Sequence, residues 1–526
     1  MPSVTVQASS TLEIEEIAVA ALPHDSVSPA RLSPLSAGFQ SSGTILALTL
    51  LAILIDGYHP YSEDAGIYVA SLKQLASSGM YPASGAFIAP YVRLSLFSHF
   101  GAWLLRMLHL PLEAVLFQIH IATVFLLLCG SYGIAKRCFR DRSATWAGTL
   151  LVALCLCVPV AGTSLSIADP YLTGRSFSTP FTLFAVCAAF DKSFWRTCVF
   201  LLLAVTFHPL MGAYAIGFVL ALWTIDRRSW LGAIAVAAGS LLGAALLHFS
   251  SPSASESPAH LAAVATRTYF FLSEWRWYEL LGIVAPLALL SSYAFWQNRR
   301  GRTAGAKLAN TCVVLGLISV CVSALFCHPS SHSQTISPLQ PLRPFLFIYL
   351  ALFVFLGGLL GEFFLKSILW RWTALTVVLG ACLGYVQHNV YPDSPQVEFP
   401  GVATHNPWHQ AFNWIRANTP ANAVFALDAN YIDAPAEDSL GFRAVAERDS
   451  LADRSKDGGA AAVFPQLADR WLTEQAATTN LNQISDAERL RRLAPFKASW
   501  IVLNHDAQTS FLCPFTNEAV KVCQLR

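Results

Sequence analysis

The sequence predicts a polytopic α-helical membrane protein of about 11 transmembrane helices that carries a small C-terminal α/β domain. Three observations predict it. Of 526 residues, 54% are hydrophobic and only 13% charged, against about a quarter charged in soluble domains. Apolar runs of about 18 residues recur, and that length crosses a hydrocarbon core of about 30 Å as a helix. After residue 391 the runs shorten, and about half of the 32 acidic residues fall in this last quarter. A β-barrel would show short alternating segments instead, and these runs do not alternate.

Taken in order, residues 1–42 are polar and rich in Ser, Ala and Pro, without the basic start and immediate apolar stretch of a signal peptide. They read as a disordered cytosolic tail, and the first span as an uncleaved anchor. Spans are expected near 43–56, 113–135, 143–161, 176–191, 194–208, 210–225, 229–248, 278–296, 307–327, 344–365 and 370–388. The basic residues test this topology. Lys136, Arg137, Arg140 and Arg142 follow the second span, and Lys192 and Arg196 the fourth. Arg227 and Arg228 follow the sixth, Arg299, Arg300, Arg302 and Lys307 the eighth, and Lys366 and Arg371 the tenth. Every second connection is short and basic, as cytosolic loops are. The N-terminus is then cytosolic in an inner (cytoplasmic) membrane, and 57–112, 162–175, His208–Pro209, 249–277, 328–343 and everything after 389 lie outside. Residues 43–391 form the transmembrane domain with a large first external loop, 57–112.

Within that loop, "EDAGIYVASLKQLASSG" (63–79) has a helical period ending at Gly79. The stretch 87–108 is broken by Arg93, His99 and Arg106 and suits an interfacial or re-entrant segment. In the expected soluble domain, 392–526, "NPWHQAFNWIRANTP" (406–420) reads as an amphipathic helix, "FPQLADRWLTEQAATT" (464–479) as helical, and "AVFALD" (423–428), "SWIVLN" (499–504) and "AVKVCQL" (519–525) as strands. Most of the 12 cysteines lie in apolar runs as small hydrophobes. Cys513 and Cys523 are free to pair if their segment is extracytoplasmic.

Ionisable groups at membrane level are functional candidates because they are costly there. Asp56 ends the first span directly, and Glu63 and Asp64 open the helix that follows. Capping would account for either of the latter, but not for Asp56. "SIADPYLTGRSFSTPF" (166–181) carries Asp169 and Arg175. Arg175 suits a lipid phosphate, and an Arg–Asp pair fixing a tight loop is the alternative. "TFHPLMG" (206–212) sets His208 at a turn as base, phosphate contact or helix cap. "SPLQPLRPFLF" (337–347) leads Arg343 into a span, where snorkelling is the plainer reading. His328 and His332 read as solvated, and Glu256, His260, Arg267, Glu274 and Arg276 as part of a lid or pocket wall. No P-loop, GxSxG, HExxH or nucleic-acid motif is present. Carboxylates, a histidine and arginines thus gather on the external side, which suits group transfer from a lipid phosphate: a base activates a hydroxyl and cations hold the leaving phosphate.

With Asp56 and "EDAGIY" (63–68), "GRSFSTP" (174–180), "HPLMG" (208–212) and "LQPLRPF" (339–345) in this order, followed by "WIRANTP", "AVFALD" and "GFRAVAERDS" (441–450), the layout resembles the GT-C superfamily of polyprenyl-phosphate-dependent glycosyltransferases. The resemblance implies a GT-C-like fold and an inverting hexosyl- or pentosyltransferase of the cell envelope. Its catalytic acid would be Asp56, Glu63 or Asp64, acting as base or metal ligand. Arg175 and Arg343 would contact the lipid phosphate, with Asp169 and His208 assisting. The partners implied are a polyprenyl-phosphate-linked sugar donor, an extracytoplasmic acceptor and membrane lipids, with no nucleic acid. No cofactor is fixed, and a divalent metal fits the acids. Glu63-Asp64 stands where the family often has two aspartates. A flippase of lipid-linked saccharide would place ionisable groups mid-span, and a non-catalytic scaffold would leave the loop-one acids scattered.

Overall fold

The computed structural model describes residues 34–77, 79–225, 231–250, 256–331 and 333–525. Most of the expected N-terminal tail, Arg227, Arg228 and His332 lie outside the described residues. The chain divides into two compact units, Met1–Thr44 and Ile45–Arg526. Every contact below lies within the second.

A helix occupies each of the eleven segments expected to span. They are α1 (Pro34–Asp56), then, after α2 (Ala65–Ala76), α3 (Gly85–Leu94) and α4 (Leu96–Leu108) of the first loop, α5 (Leu112–Cys138), α6 (Arg142–Leu154), α7 (Gly174–Phe190), α8 (Phe194–Phe207), α9 (Pro209–Thr224) and α10 (Leu231–Ser250). The short α11 (Pro258–Ala265) precedes α12 (Trp277–Arg299), α13 (Thr303–Phe326), α14 (Phe345–Leu359) and α15 (Leu369–His388). Six helices among the described residues are long and apolar enough to cross a membrane: α5, α10, α12, α13, α15, and α14 with its π-helical continuation over Leu360–Leu365. Shorter apolar helices are the Ser41–Asp56 part of α1, α8 and α9. This is an integral membrane protein. The 27 residues of α5 reach about 40 Å at 1.5 Å each, with Glu113 in the first turn and Lys136 and Arg137 in the last, the arrangement the helix dipole favours.

Two boundaries differ from expectation. The third span, expected over 143–161, stops at Leu154, because the chain turns at Pro159 and folds back on itself. Val160 N–H donates to Leu165 O (2.7 Å), and Pro159 bridges to Ser166. The stretch 87–108 is two helices, broken where Ser95 becomes extended; its hydroxyl takes Phe97 N–H (3.2 Å) and donates to Phe207 O (2.6 Å).

The C-terminal segment contains α16 (Pro407–Asn418), β1 (Val424–Ala426), α17 (Phe442–Ala446), β2 (Asp449–Ser450), α18 (Lys456–Val463), α19 (Ala468–Thr478), α20 (Asp486–Leu493), β3 (Trp500–Asn504), β4 (Phe515–Thr516) and β5 (Val520–Gln524). The sheet order is β2-β1-β3-β5-β4. β2, β1 and β3 run parallel, with Phe425 beside Trp500, and β5 is antiparallel to both β3 and β4, with Val502 beside Val522. β2 and β4, only two residues each, carry too little alternation to be read from sequence. Cys513 and Cys523 form a disulfide.

The sheet shares one apolar cluster with the first loop: Tyr68 and Leu72 of α2 and Phe97 of α4 pack with Phe412, Phe425, Phe442 and Val502. Their seam is closed by backbone. Gly441 N–H donates to Tyr61 O (2.9 Å), Ser62 bridges to Leu440, and Gly66 meets Gly441 with no side chain between them. A Cβ on Gly66 would stand 2.7 Å from the Gly441 Cα. Gly66→Ala is therefore expected to cost about 1–3 kcal/mol by overpacking, read as a lower thermal midpoint of the detergent-solubilised protein. Gly217→Ala, with nothing within 4 Å of the new carbon, is the control and leaves the midpoint in place.

Candidate functional site

The chain leaves α1 through Gly57, whose φ of +85° only glycine adopts freely. A strap from the C-terminal segment then fixes the exit. Tyr58 N–H donates to Gln396 O (2.9 Å), Glu398 N–H to Tyr58 O (3.0 Å), and Gln396 Nε2 to Ile55 O (2.8 Å). Asp56, expected at an open lip, is consequently enclosed. It is 2% exposed, and neither carboxylate oxygen has a hydrogen-bond partner among the described residues. Asp169 lies within electrostatic reach of it.

Glu63 and Asp64 stand differently. Glu63 takes a left-handed backbone (φ 53°) while its N–H donates to Ser439 O (2.7 Å). Lys456 at the start of α18 ion-pairs with Glu63 and lies 3.3 Å from Asp64 Oδ1. Asp64 occupies the N-cap position of α2 without making a capping hydrogen bond. Its side chain is 56% exposed and accessible. Burial pushes its carboxyl up, but Lys456, Arg175 and Arg343 outweigh burial and hold it below the usual carboxylate range. Burial alone would lower the Lys456 ammonium; the two carboxylates more than reverse that.

Arg175, in the first turn of α7, is buried and paired with Asp169, as in the loop-fixing alternative. Burial raises the Asp169 carboxyl, Arg175 offsets part of this, and Asp64 and Glu63 add to the rise. His208 caps α9, its Nδ1 accepting Met211 N–H at 3.3 Å, and its ring lies in the field of Arg343, Arg175 and Asp64. Arg343, half-buried, holds Gln340 through Nε, and among the described residues it has no ion-pair partner. Burial and the like charge of Arg175 push its guanidinium below the usual value, so an anion placed there would relieve both penalties.

Asp56, Glu63, Asp64, Asp169, Arg175, His208 and Arg343 thus lie in one electrostatic neighbourhood, with Asp56 buried and Asp64 exposed within it. Sequence reasoning missed Lys456, an isolated lysine in a polar stretch with nothing local to mark it. It also missed Tyr68, Tyr91, Tyr171, Tyr269 and Tyr391, all of which interact electrostatically with these charges. Of the proposed wall residues, His260 Nδ1 meets Glu256 (2.8 Å), His260 Nε2 meets Ala462 O (3.1 Å) and Arg267 donates to Arg454 O (3.0 Å), which ties the α11 region to α18. The donor set for a divalent metal is not assembled. No three His, Cys, Asp or Glu side chains among the described residues are grouped to hold one, and Glu63 and Asp64 share an ammonium instead.

No family model matches the chain, and no curated protein matches it. Solved structures do show distant similarity. One is the archaeal oligosaccharyltransferase AglB from Archaeoglobus fulgidus in complex with an inhibitory peptide and a dolichol-phosphate (TM-score 0.46, 12% identity, 89% of this chain and 70% of that one). Two others are the Archaeoglobus fulgidus oligosaccharyltransferase in the apo form (TM-score 0.45, 12% identity, 88% and 70%) and its complex with Zn and sulfate (TM-score 0.40, 12% identity, 88% and 68%).

Beside Lys456, Asp453 is buried, and its Oδ1 accepts Lys456 N–H at 2.5 Å. Burial and the Asp457 carboxylate raise its pKa to about 7. A raised carboxyl stabilises the fold when protonated. That contribution is complete below the unfolded value of about 4 and is lost as pH rises through about 7. Asp453→Asn keeps the acceptor oxygen and never ionises. Its thermal midpoint should match wild type near pH 4 and exceed it increasingly up to pH 8, measured in detergent at each pH.

Proposed function

We propose that this protein is an integral membrane glycosyltransferase that moves a sugar from a polyprenyl-phosphate-linked donor to an acceptor hydroxyl outside the cytosol. One observation carries the reading. Asp64 is an accessible carboxylate in the field of Arg175 and Arg343, and among the described residues Arg343 has no ion-pair partner. Asp64 would take the proton of the acceptor hydroxyl as its oxygen bonds to the anomeric carbon. The bond from that carbon to the phosphate oxygen breaks, and its electron pair leaves on the phosphate, stabilised by Arg343 with Arg175 behind it. Glu63 and Lys456 position Asp64, and His208 orients the donor phosphate. Asp56, lacking access, acts through Asp169 and hence Arg175.

The alternation of basic loops supports an external site. Arg137–Asp191 (2.5 Å) and Arg302–Glu362 (2.7 Å) tie together helix ends that belong to the expected cytosolic side. Arg175 in the first turn of α7 and Arg343 just before α14 stand at the opposite ends of those two helices.

A screen of purified protein against radiolabelled polyprenyl-phosphate-linked sugars, reading released polyprenyl phosphate, tests the assignment. Asp64→Asn should lower release by about 10²–10⁴-fold and Arg343→Gln by about 10²-fold. Asp56→Asn should retain more activity than either. Full activity in Asp56→Asn, Glu63→Gln and Asp64→Asn alike would remove the basis for the proposal.

A further inference from the structure

At the other end of the bundle, glycines let α14 approach α6 closely. A Cβ on Gly357 would stand 2.4 Å from Ala147 O, one on Gly361 2.5 Å from Ser143 O, and one on Gly148 2.7 Å from Val354 O. On the far side of α14, toward α12, lies a groove of about 350 Å³. Tyr293 stacked on Phe355 (ring centroids 4.2 Å apart) forms part of the groove lining, with Leu289 and Leu356 beside them. Along α14 the lining runs from Leu352 to Phe363, about 16 Å at 1.5 Å per residue. That is half of a hydrocarbon core of about 30 Å, the depth of one leaflet.

The mouth of the groove is cationic. Arg300, 44% exposed, lies 4.0 Å from the Trp296 ring centroid and 5.6 Å from that of Phe363, and both rings line the groove. Arg299 sits over Phe295 at 4.3 Å. The acid at hand is Glu362, already held by both terminal nitrogens of Arg302 (2.7 and 2.8 Å), with Arg300 at 4.0 Å. Three guanidinium groups against one carboxylate leave positive charge at headgroup level, above an apolar slot one leaflet deep. The π-turn of α14 over Leu360–Leu365 falls at the same place, and such turns gather at functional sites.

We propose that this groove binds an anionic phospholipid, with one acyl chain between α12 and α14 and the phosphate against Arg299 and Arg300. Basic pockets between transmembrane helices recognise anionic headgroups in this way. The site is independent of the transferase reading, because Arg343 begins the other end of α14, about 25 Å away at helical rise.

Native mass spectrometry of the full chain, with phosphatidylglycerol or phosphatidylcholine added to the detergent-purified protein, tests it. Wild type should retain phosphatidylglycerol in preference, by about fivefold per contributing arginine. The Arg299→Gln/Arg300→Gln double variant should bring the two lipids level. Leu356→Trp should fill the slot and lower retention of both. Equal retention of the two lipids by wild type, an unchanged preference in the double variant, or unchanged retention in Leu356→Trp each overturns the proposal. The wild-type comparison decides the matter if a variant fails to fold.

Discussion

The contact from Lys456 back to Glu63 and Asp64 spans more than 390 residues of chain, and the shape of the first loop depends on it. Glu63 would not hold a left-handed backbone unaided, since only glycine and, less readily, Asn and Asp take it cheaply. It does so because its N–H is claimed by Ser439 while its carboxylate is claimed by Lys456. Lys456 in turn is only 14% exposed, and a buried ammonium left without its partner typically costs about 3–5 kcal/mol. Each side therefore makes the other affordable. The neighbouring contacts reinforce the same seam: Lys73 Nζ donates to Ala444 O and to Glu447 (both 2.7 Å), Tyr81 donates to Arg443 O (2.8 Å), and Asp449 accepts from the Ser84 N–H and hydroxyl (both 2.7 Å).

With the seam closed, charges sort by what they already hold. Arg175 is bound to Asp169, Lys456 to Glu63, and Arg443 grips Asp457 with both terminal nitrogens at 2.8 Å. These pairs are structural first. Among the described residues, the Arg343 side chain donates to Gln340 alone, and it stands in the field of Arg175. Asp64, held by Lys456 at 3.3 Å and 56% exposed, is an acid with room for another partner. Chemistry at this site would therefore fall on the least satisfied pair of opposite charges, while the satisfied ones keep that pair in place.

Glycine shapes both ends of the molecule by close approach. At the seam of the first loop, Gly66 and Gly441 let α2 and the α17 segment meet backbone to backbone, beside the contact of Asp64 with Lys456 of α18. At the other end, Gly148, Gly357 and Gly361 bring α14 onto α6, on the face opposite the apolar groove beside α12. The two regions have opposite character. One opens among loops rich in ionisable side chains, and the other between helices whose facing residues are apolar.

Helix positions were legible because a 3.6-residue period and span-length apolar runs are local properties. α5, α12 and α13 follow from composition alone, as does β3 from "SWIVLN". The break at Ser95 and the early end of α6 also have local causes, a serine cap and a proline turn, though the sequence reading anticipated neither. Charges at helix ends stand out in the sequence against an apolar background, but which of them are buried and which accessible does not. Asp56 looks exposed in sequence because the apolar run stops there, yet Gln396 and Glu398 arrive from the far end of the chain to cover it. Lys456 carries no local signal at all. Sequence by itself determined which residues must lie at the membrane boundary, because desolvation acts on each one alone. Tertiary structure decided which carboxylate is sealed, which is open and which lysine holds them, because pairing energy depends on distance between groups that the chain brings together only after it folds.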